Sequence, residues 1–179
     1  IDPYKLQKQV DYMEAHPECS VCATEGYCLN QATGEMRELP SLGLESYAPR
    51  DFLRDNQIYT LTTLTRACWA HEFYTEIEPI APRFLMGDYP LWLYMLTRGP
   101  ICKLPDKCAV YRELSDSASH YKDPYKQLIF AVSSFDLRVF YNRLYRFSIS
   151  SMLAKKFRNI YEWCKHLAHA NNLNRYRVL

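Results

Sequence analysis

No stretch of the sequence approaches the ~18 uninterrupted apolar residues that a membrane-spanning helix requires. The best candidate is broken by Pro90, Arg98 and Pro100. No basic, apolar leader of the secretory kind is present. The chain opens IDPYKL without a methionine, so residues preceding Ile1 are expected. There is no internal repeat and no low-complexity tract, which excludes solenoids and linkers. Nor does a second CxxC or an HxxxH pair follow Cys19, Cys22 and Cys28, which leaves a zinc reading of those thiols at half a site. The seven cysteines are odd in number and several sit in apolar text (CSVCAT, GPICKL). They read as reduced, mostly buried thiols of a cytosolic protein.

What is present is globular. The 179 residues are 48% hydrophobic and 15% aromatic, with 15 tyrosines, enough to bury a core in one domain or one domain with an appendage. Charge is split along the chain. Residues 1–121 carry 11 basic and 17 acidic groups, a net −6, while residues 122–179 carry 11 and 3, a net +8. The division suggests a body over 1–121 and a basic tail over 122–179.

Local signals give an α/β order. Asp2-Pro3 predicts a helix through YKLQKQVDYMEAH, with Pro3 as its first residue and Pro17 as its stop. CSVCAT reads as a short buried strand, and the polar text from Glu25 to Pro49 as loop. A short helix at DFLRDN leads to a Thr- and Ile-rich strand in IYTLTTLTRACW, then a helix over 70–81 ending near Pro79. MGDYPLWLYMLTRG predicts a helix begun by Asp88 and closed by Gly99. ICKLPDKCAVYRE reads as two strands around a Pro-Asp turn, and the remainder as two helices.

Asp88 is the first chemical candidate. One reading is helix capping, since a carboxylate there meets orphan N–H groups and the positive end of the dipole. The other is a base, held by its own backbone at a helix mouth and poised to take a hydroxyl proton. Position alone favours the cap. Arg112, beyond a strand, suits phosphate oxygens or a salt bridge to Glu113 or Asp116. Trp92 and Tyr94 suit sugar stacking, but their helical spacing favours core packing. His16, His71, His166 and His169 have no spacing that argues for a site.

The ordered set DPYKLQKQVDYMEAHPE, NQIYTLTTLTR and MGDYPLWLYMLTRGPICKLPDKCAVYRELSDSASH resembles the second half of a family 2 glycosyltransferase of the GT-A fold. It is most similar to bacterial enzymes of surface-polysaccharide synthesis. The resemblance covers residues 1–145 and implies a partial GT-A, Rossmann-like fold lacking the nucleotide-binding half, followed by a helical tail. It makes Gly87-Asp88 the family's Gly-Asp pair, with Asp88 the general base of an inverting transfer from a nucleotide-sugar to a glycan or lipid-linked acceptor, which reverses the balance for Asp88. It implies that NQIYTLTTLT, Thr62 included, faces the acceptor, as Gly87, Arg112 and Trp92 then would. It further implies a divalent cation, Mg²⁺ or Mn²⁺, on the donor diphosphate. The main metal motif is expected upstream of Ile1, with His120 either its late partner or a capping or surface histidine. The chain is accordingly expected to be a fragment, inactive alone.

The basic tail interleaves cations with aromatics. A solvated amphipathic face is the commonest explanation. Nucleic-acid binding is disfavoured by the acidic body and the missing signature motifs, so no nucleic-acid partner is expected. Peripheral docking at the inner face of a membrane would hold the enzyme beside a lipid-linked acceptor. The alternative to an enzyme is a non-catalytic interaction module or dimerising fragment, whose homodimer would cover an exposed edge strand.

Overall fold

The computed structural model describes residues 2–41, 45–54, 56–114, 123–147 and 150–170. The chain divides into two compact units, Ile1–Arg83 with Gly87–Ser115, and Phe84–Met86 with Asp116–Leu179. The fold is α/β, with helices around a mixed sheet.

In the first unit, α1 (Lys5–Ala15) starts two residues later than the Asp-Pro signal suggests. Asp2 Oδ1 accepts the Tyr4 N–H at 2.8 Å, so the aspartate closes a turn before the helix rather than capping it directly. At the other end Arg66 donates to the carbonyls of Met13 (2.9 Å), His16 (3.2 Å) and Cys19 (3.0 Å), satisfying acceptors that a helix C-terminus leaves orphaned. Gln9, fully buried on α1, donates to the carbonyls of Cys22 (2.6 Å) and Thr62 (2.9 Å).

Strand β1 (Val21–Asn30) is longer than CSVCAT. It runs through the text that reads as loop and turns at Gln31–Gly34 into β2 (Met36–Glu38), pairing Tyr27 with Glu38 and Leu29 with Met36. Gly34 occupies the turn at φ 73°, a conformation that costs glycine little. The misreading has a physical cause. In EGYCLN Gly26 and Cys28 are buried while Glu25, Tyr27, Leu29 and Asn30 are half-buried, so alternation replaces the continuous apolarity of VCAT. After β3 (Ser46–Tyr47) and α2 (Pro49–Arg54), residues Thr60–Thr62 form a 3₁₀ turn, so only Thr63–Thr65 of the predicted strand is extended, as β4. Helix α3 (Ala67–Glu72) continues through a π-helical stretch, Phe73–Ile77, and a 3₁₀ turn, Glu78–Ile80.

Helix α4 (Tyr89–Arg98) follows, bounded by Asp88 and Gly99 as its sequence indicates. The next segment departs from expectation. Ile101–Glu113 is one strand, β5, not a hairpin. It lies parallel to β1 (Cys22 beside Cys102, Tyr27 beside Val110), with register shifts either side of Glu25. Pro105 and Asp106 sit at that irregularity. Proline cannot donate to a ladder, and a bulge tolerates it where a regular pair would not. The sheet order is β2–β1–β5–β3, with β4 antiparallel to the start of β1.

In the second unit, Asp123 caps α5 (Pro124–Tyr145) by accepting the Tyr125 N–H at 2.8 Å. Arg146 closes it in the left-handed region, at φ 56°. Helix α6 (Ser150–Ala170) packs back, the Phe135 and Phe157 rings 5.8 Å apart. Phe84 joins this unit through ring contacts with Phe140 and Tyr141. Among the described residues no helix is long and apolar enough to cross a membrane.

Candidate functional site

The site is built on α4. Eight of its residues, Tyr89 to Leu96, are buried, and the Tyr89 hydroxyl donates to the Phe52 carbonyl of α2. An apolar helix tied at its first residue gives the preceding residue a fixed position. That residue is Asp88.

Asp88 stands at the N-cap position, yet its side chain accepts no backbone N–H. Its φ of −90° and ψ of −31° are already helical, whereas a capping side chain works from extended backbone. The carboxylate is instead half-buried, and Oδ2 accepts the hydroxyl of Thr60, a residue of the 3₁₀ turn. Oδ1 has no hydrogen-bond partner among the described residues. Beside it, a Cβ at Gly87 would meet no atom within 4 Å. One carboxylate oxygen is therefore held, and the other has no hydrogen-bond partner among the described residues.

The 3₁₀ turn also gathers a second predicted element. The Tyr59 ring meets Tyr111 of β5 at a tilt, centroids 5.5 Å apart, and burial raises the Tyr59 phenol above its ordinary range. The NQIYTLTT segment thus touches both the Gly-Asp pair and the Tyr-Arg pair. Arg112 is exposed and makes no side-chain hydrogen bond or ion pair among the described residues. The expected acid partner, Glu113, pairs with Arg37 across the sheet at 3.2 Å.

Two sequence candidates sit differently from their expected roles. Thr62 is 1% exposed; its hydroxyl donates to the Tyr59 carbonyl at 2.7 Å and its own carbonyl accepts from Gln9. Those bonds use it inside the turn, away from a sugar. Trp92 is 2% exposed, a core side chain as its helical spacing indicates, with its indole N–H unpartnered among the described residues. Sequence reasoning missed Thr60 and Gln9. Their neighbours gave no local signal, because Thr60 meets Asp88 across 28 positions and Gln9 meets Thr62 across 53. His120 lies outside the described residues.

The thiols do not assemble into the half-site of zinc. All seven cysteines are free; Cys19 and Cys22 are fully buried, and Cys28 lies six positions farther along β1. Six strand residues span about 20 Å. Burial pushes the Cys22 thiol up to about 12. The Cys19 thiol donates to the Val21 carbonyl at 3.1 Å; the adjacent Cys102 and burial raise it, and Cys102 is drawn down to about 7 chiefly by its proximity to Cys19.

Among the described residues one other group has metal-ligand types together. Ligand atoms of Asp2, Asp106 and Cys108 lie within 4.8 Å of one another. Lys8 already bridges the carboxylates, at 2.8 Å to Asp2 and 2.5 Å to Asp106. The lysine supplies the countercharge, and a buried thiol is a poor ligand for the hard cations that diphosphates recruit. This cluster does not fit a Mg²⁺ or Mn²⁺ site.

No protein-family model matches the chain. It is similar to uncharacterized proteins. One is from Mycobacterium bovis and two are from strains of Mycobacterium tuberculosis, each 25% identical over 125 residues. The alignment covers 66% of this chain and 33% of each relative, so the chain spans about a third of the length of the curated relatives it matches.

Proposed function

We propose that the chain is the acceptor-side part of an inverting glycosyltransferase of the GT-A fold, with Asp88 as its general base. The observation that carries this reading is the divided carboxylate. Thr60 holds Oδ2, Oδ1 is unpartnered among the described residues, and the helix behind it does not use the group as a cap.

An acceptor hydroxyl placed against Oδ1 gives its proton to Asp88 as its oxygen attacks the anomeric carbon of a nucleotide-sugar. The new C–O bond forms on the face opposite the departing phosphate oxygen, which keeps the electron pair of the breaking bond, and stereochemistry inverts. One base suffices, because a nucleoside diphosphate leaves without protonation by a second acid. Gly87 keeps the approach open, and Arg112, exposed at the end of β5, is available to acceptor or phosphate oxygens. A bound Mg²⁺ or Mn²⁺ would offset charge on the diphosphate.

The test is Asp88→Asn in the full-length protein, assayed by nucleotide release from a panel of nucleotide-sugars with Mg²⁺ or Mn²⁺. Turnover falls by about three orders of magnitude while donor affinity is kept. An unchanged rate removes Asp88 from the chemistry.

A second reading, a non-catalytic association module, draws on α1, where Leu6 (59% exposed) and Val10 (37%) lie one turn apart beside Tyr4 (68%). It expects Leu6→Lys to convert a dimer to a monomer in light scattering, and Asp88→Asn to change nothing.

A further inference from the structure

Helix α6 carries two stripes. Leu153 is buried and Lys156, Ile160 and Trp163 are half-buried, a 3-4-3 spacing that turns one face inward. The adjoining flank, Ala154, Phe157, Tyr161 and Cys164, is exposed, with Phe157 58% and Tyr161 55% open. Farther round that side come Arg158 and Lys165, both exposed, while Lys155 stands about 160° from Phe157 around the helix. The Phe157 ring meets Phe135 of α5, yet it and Tyr161, one turn apart, keep more than half of their surface in water. Their cost in water is recovered only against a surface that is apolar below and charged at its rim.

The charge identifies that surface. Four cations of α6 (Lys155, Lys156, Arg158, Lys165) stand against one carboxylate, Glu162. Glu162 reaches Lys165 at 3.0 Å, but both groups are about half exposed, and a pair of that kind gives up its partner to another anion at small cost. Lys165 also lies 5.6 Å above the Tyr161 ring, so cation and aromatic are presented together.

We propose that this flank of α6 docks on an anionic lipid surface, with Phe157 and Tyr161 seated among the headgroups and Arg158 and Lys165 on lipid phosphates. Long basic side chains suit that arrangement, since their stems lie along apolar material while the charge stays wet. A nucleic acid is the weaker occupant. Two bordering cations make too short a track for a phosphodiester backbone. A lipid surface meets one face only. The assignment stands apart from the glycosyltransferase reading, and neither outcome of the Asp88→Asn assay bears on it.

Co-sedimentation of the 179-residue chain with phosphatidylglycerol–phosphatidylcholine vesicles tests it, against pure phosphatidylcholine vesicles and a single-stranded oligonucleotide. Binding to the anionic vesicles is expected, weakened by salt. Arg158→Ala with Lys165→Ala lowers the partition coefficient about thirtyfold at low salt, each cation being worth about tenfold or somewhat less. Phe157→Ala with Tyr161→Ala lowers it more than about tenfold, with helix content checked by circular dichroism. The proposal is overturned by any of four results: no binding to the anionic vesicles, equal binding to neutral ones, partitioning unchanged in the exposed-cation variant, or preference for the oligonucleotide.

Discussion

Thr60 is the side chain on which the geometry of Asp88 turns. Its hydroxyl donates to Oδ2, which restricts the rotation of the carboxyl group. A threonine on a 3₁₀ turn is a stiff donor, because β-branching restricts its rotamer. Replacing the hydroxyl by a methyl in Thr60→Val keeps the shape and frees the carboxylate to turn. If the full-length protein is the glycosyltransferase proposed above, kcat is expected to fall about 10- to 100-fold with KM little changed, and Thr60→Ser to restore most of the rate. Steady-state nucleotide release measures both. A Thr60→Val enzyme with native kcat would show that the carboxylate needs no such support, whatever becomes of Asp88→Asn. Asp88 itself was legible as a helix-start acid, but its partner was not, since no local pattern links residues 28 positions apart.

At the scale of elements, the junction from α4 into β5 depends on Gly99. Its φ of 172° is extended backbone open to any residue, so conformational freedom is not the reason for glycine. Space is. A Cβ there would lie 2.0 Å from the Glu18 carbonyl oxygen, where the chain after α1 passes against the turn. Ser20 Oγ donates to the Gly99 carbonyl at 2.9 Å, and the Ser20 N–H donates to the Pro100 carbonyl at 2.9 Å. Gly99→Ala must part these segments and is expected to cost about 2–3 kcal/mol, read as a lowered denaturant midpoint with unchanged m. Helices were the readable elements, because α4 and α5 carry their own stops in Gly99 and the Asp123-Pro124 start. Strands were less so. The continuity of β5 through Pro105-Asp106 is imposed by its parallel partner β1, which a local reading of a Pro-Asp pair as a turn cannot include.

For the molecule as a whole, stability is expected to vary with pH through the bridge that joins the start of α1 to β5. Lys8, with the Tyr4 N–H, holds the Asp2 carboxyl below its ordinary range, and Asp106 and Asp2 hold the Lys8 ammonium above its own. A depressed carboxyl contributes stability above its unfolded value of about 4, lost as pH falls through the folded value. A raised ammonium contributes below about 10.5, lost as pH rises through its folded value. Asp2→Asn should therefore destabilise by a constant amount near neutrality and by progressively less below pH about 4. Urea unfolding from acid to neutral pH checks this, and a difference independent of pH would detach the bridge from stability. The sequence by itself determined the α/β class, the limits of α4, the place of Asp88 and the basic character of α6, because composition, caps and periodicity are local properties of a chain. Tertiary structure alone decided that Thr60 would hold Asp88, that Gln9 would secure the turn carrying it, that Lys8 would occupy the Asp2–Asp106 cluster, and that Thr62 and Trp92 would be buried. Each of those outcomes is a meeting of residues distant in the chain, and such meetings depend on how the elements pack.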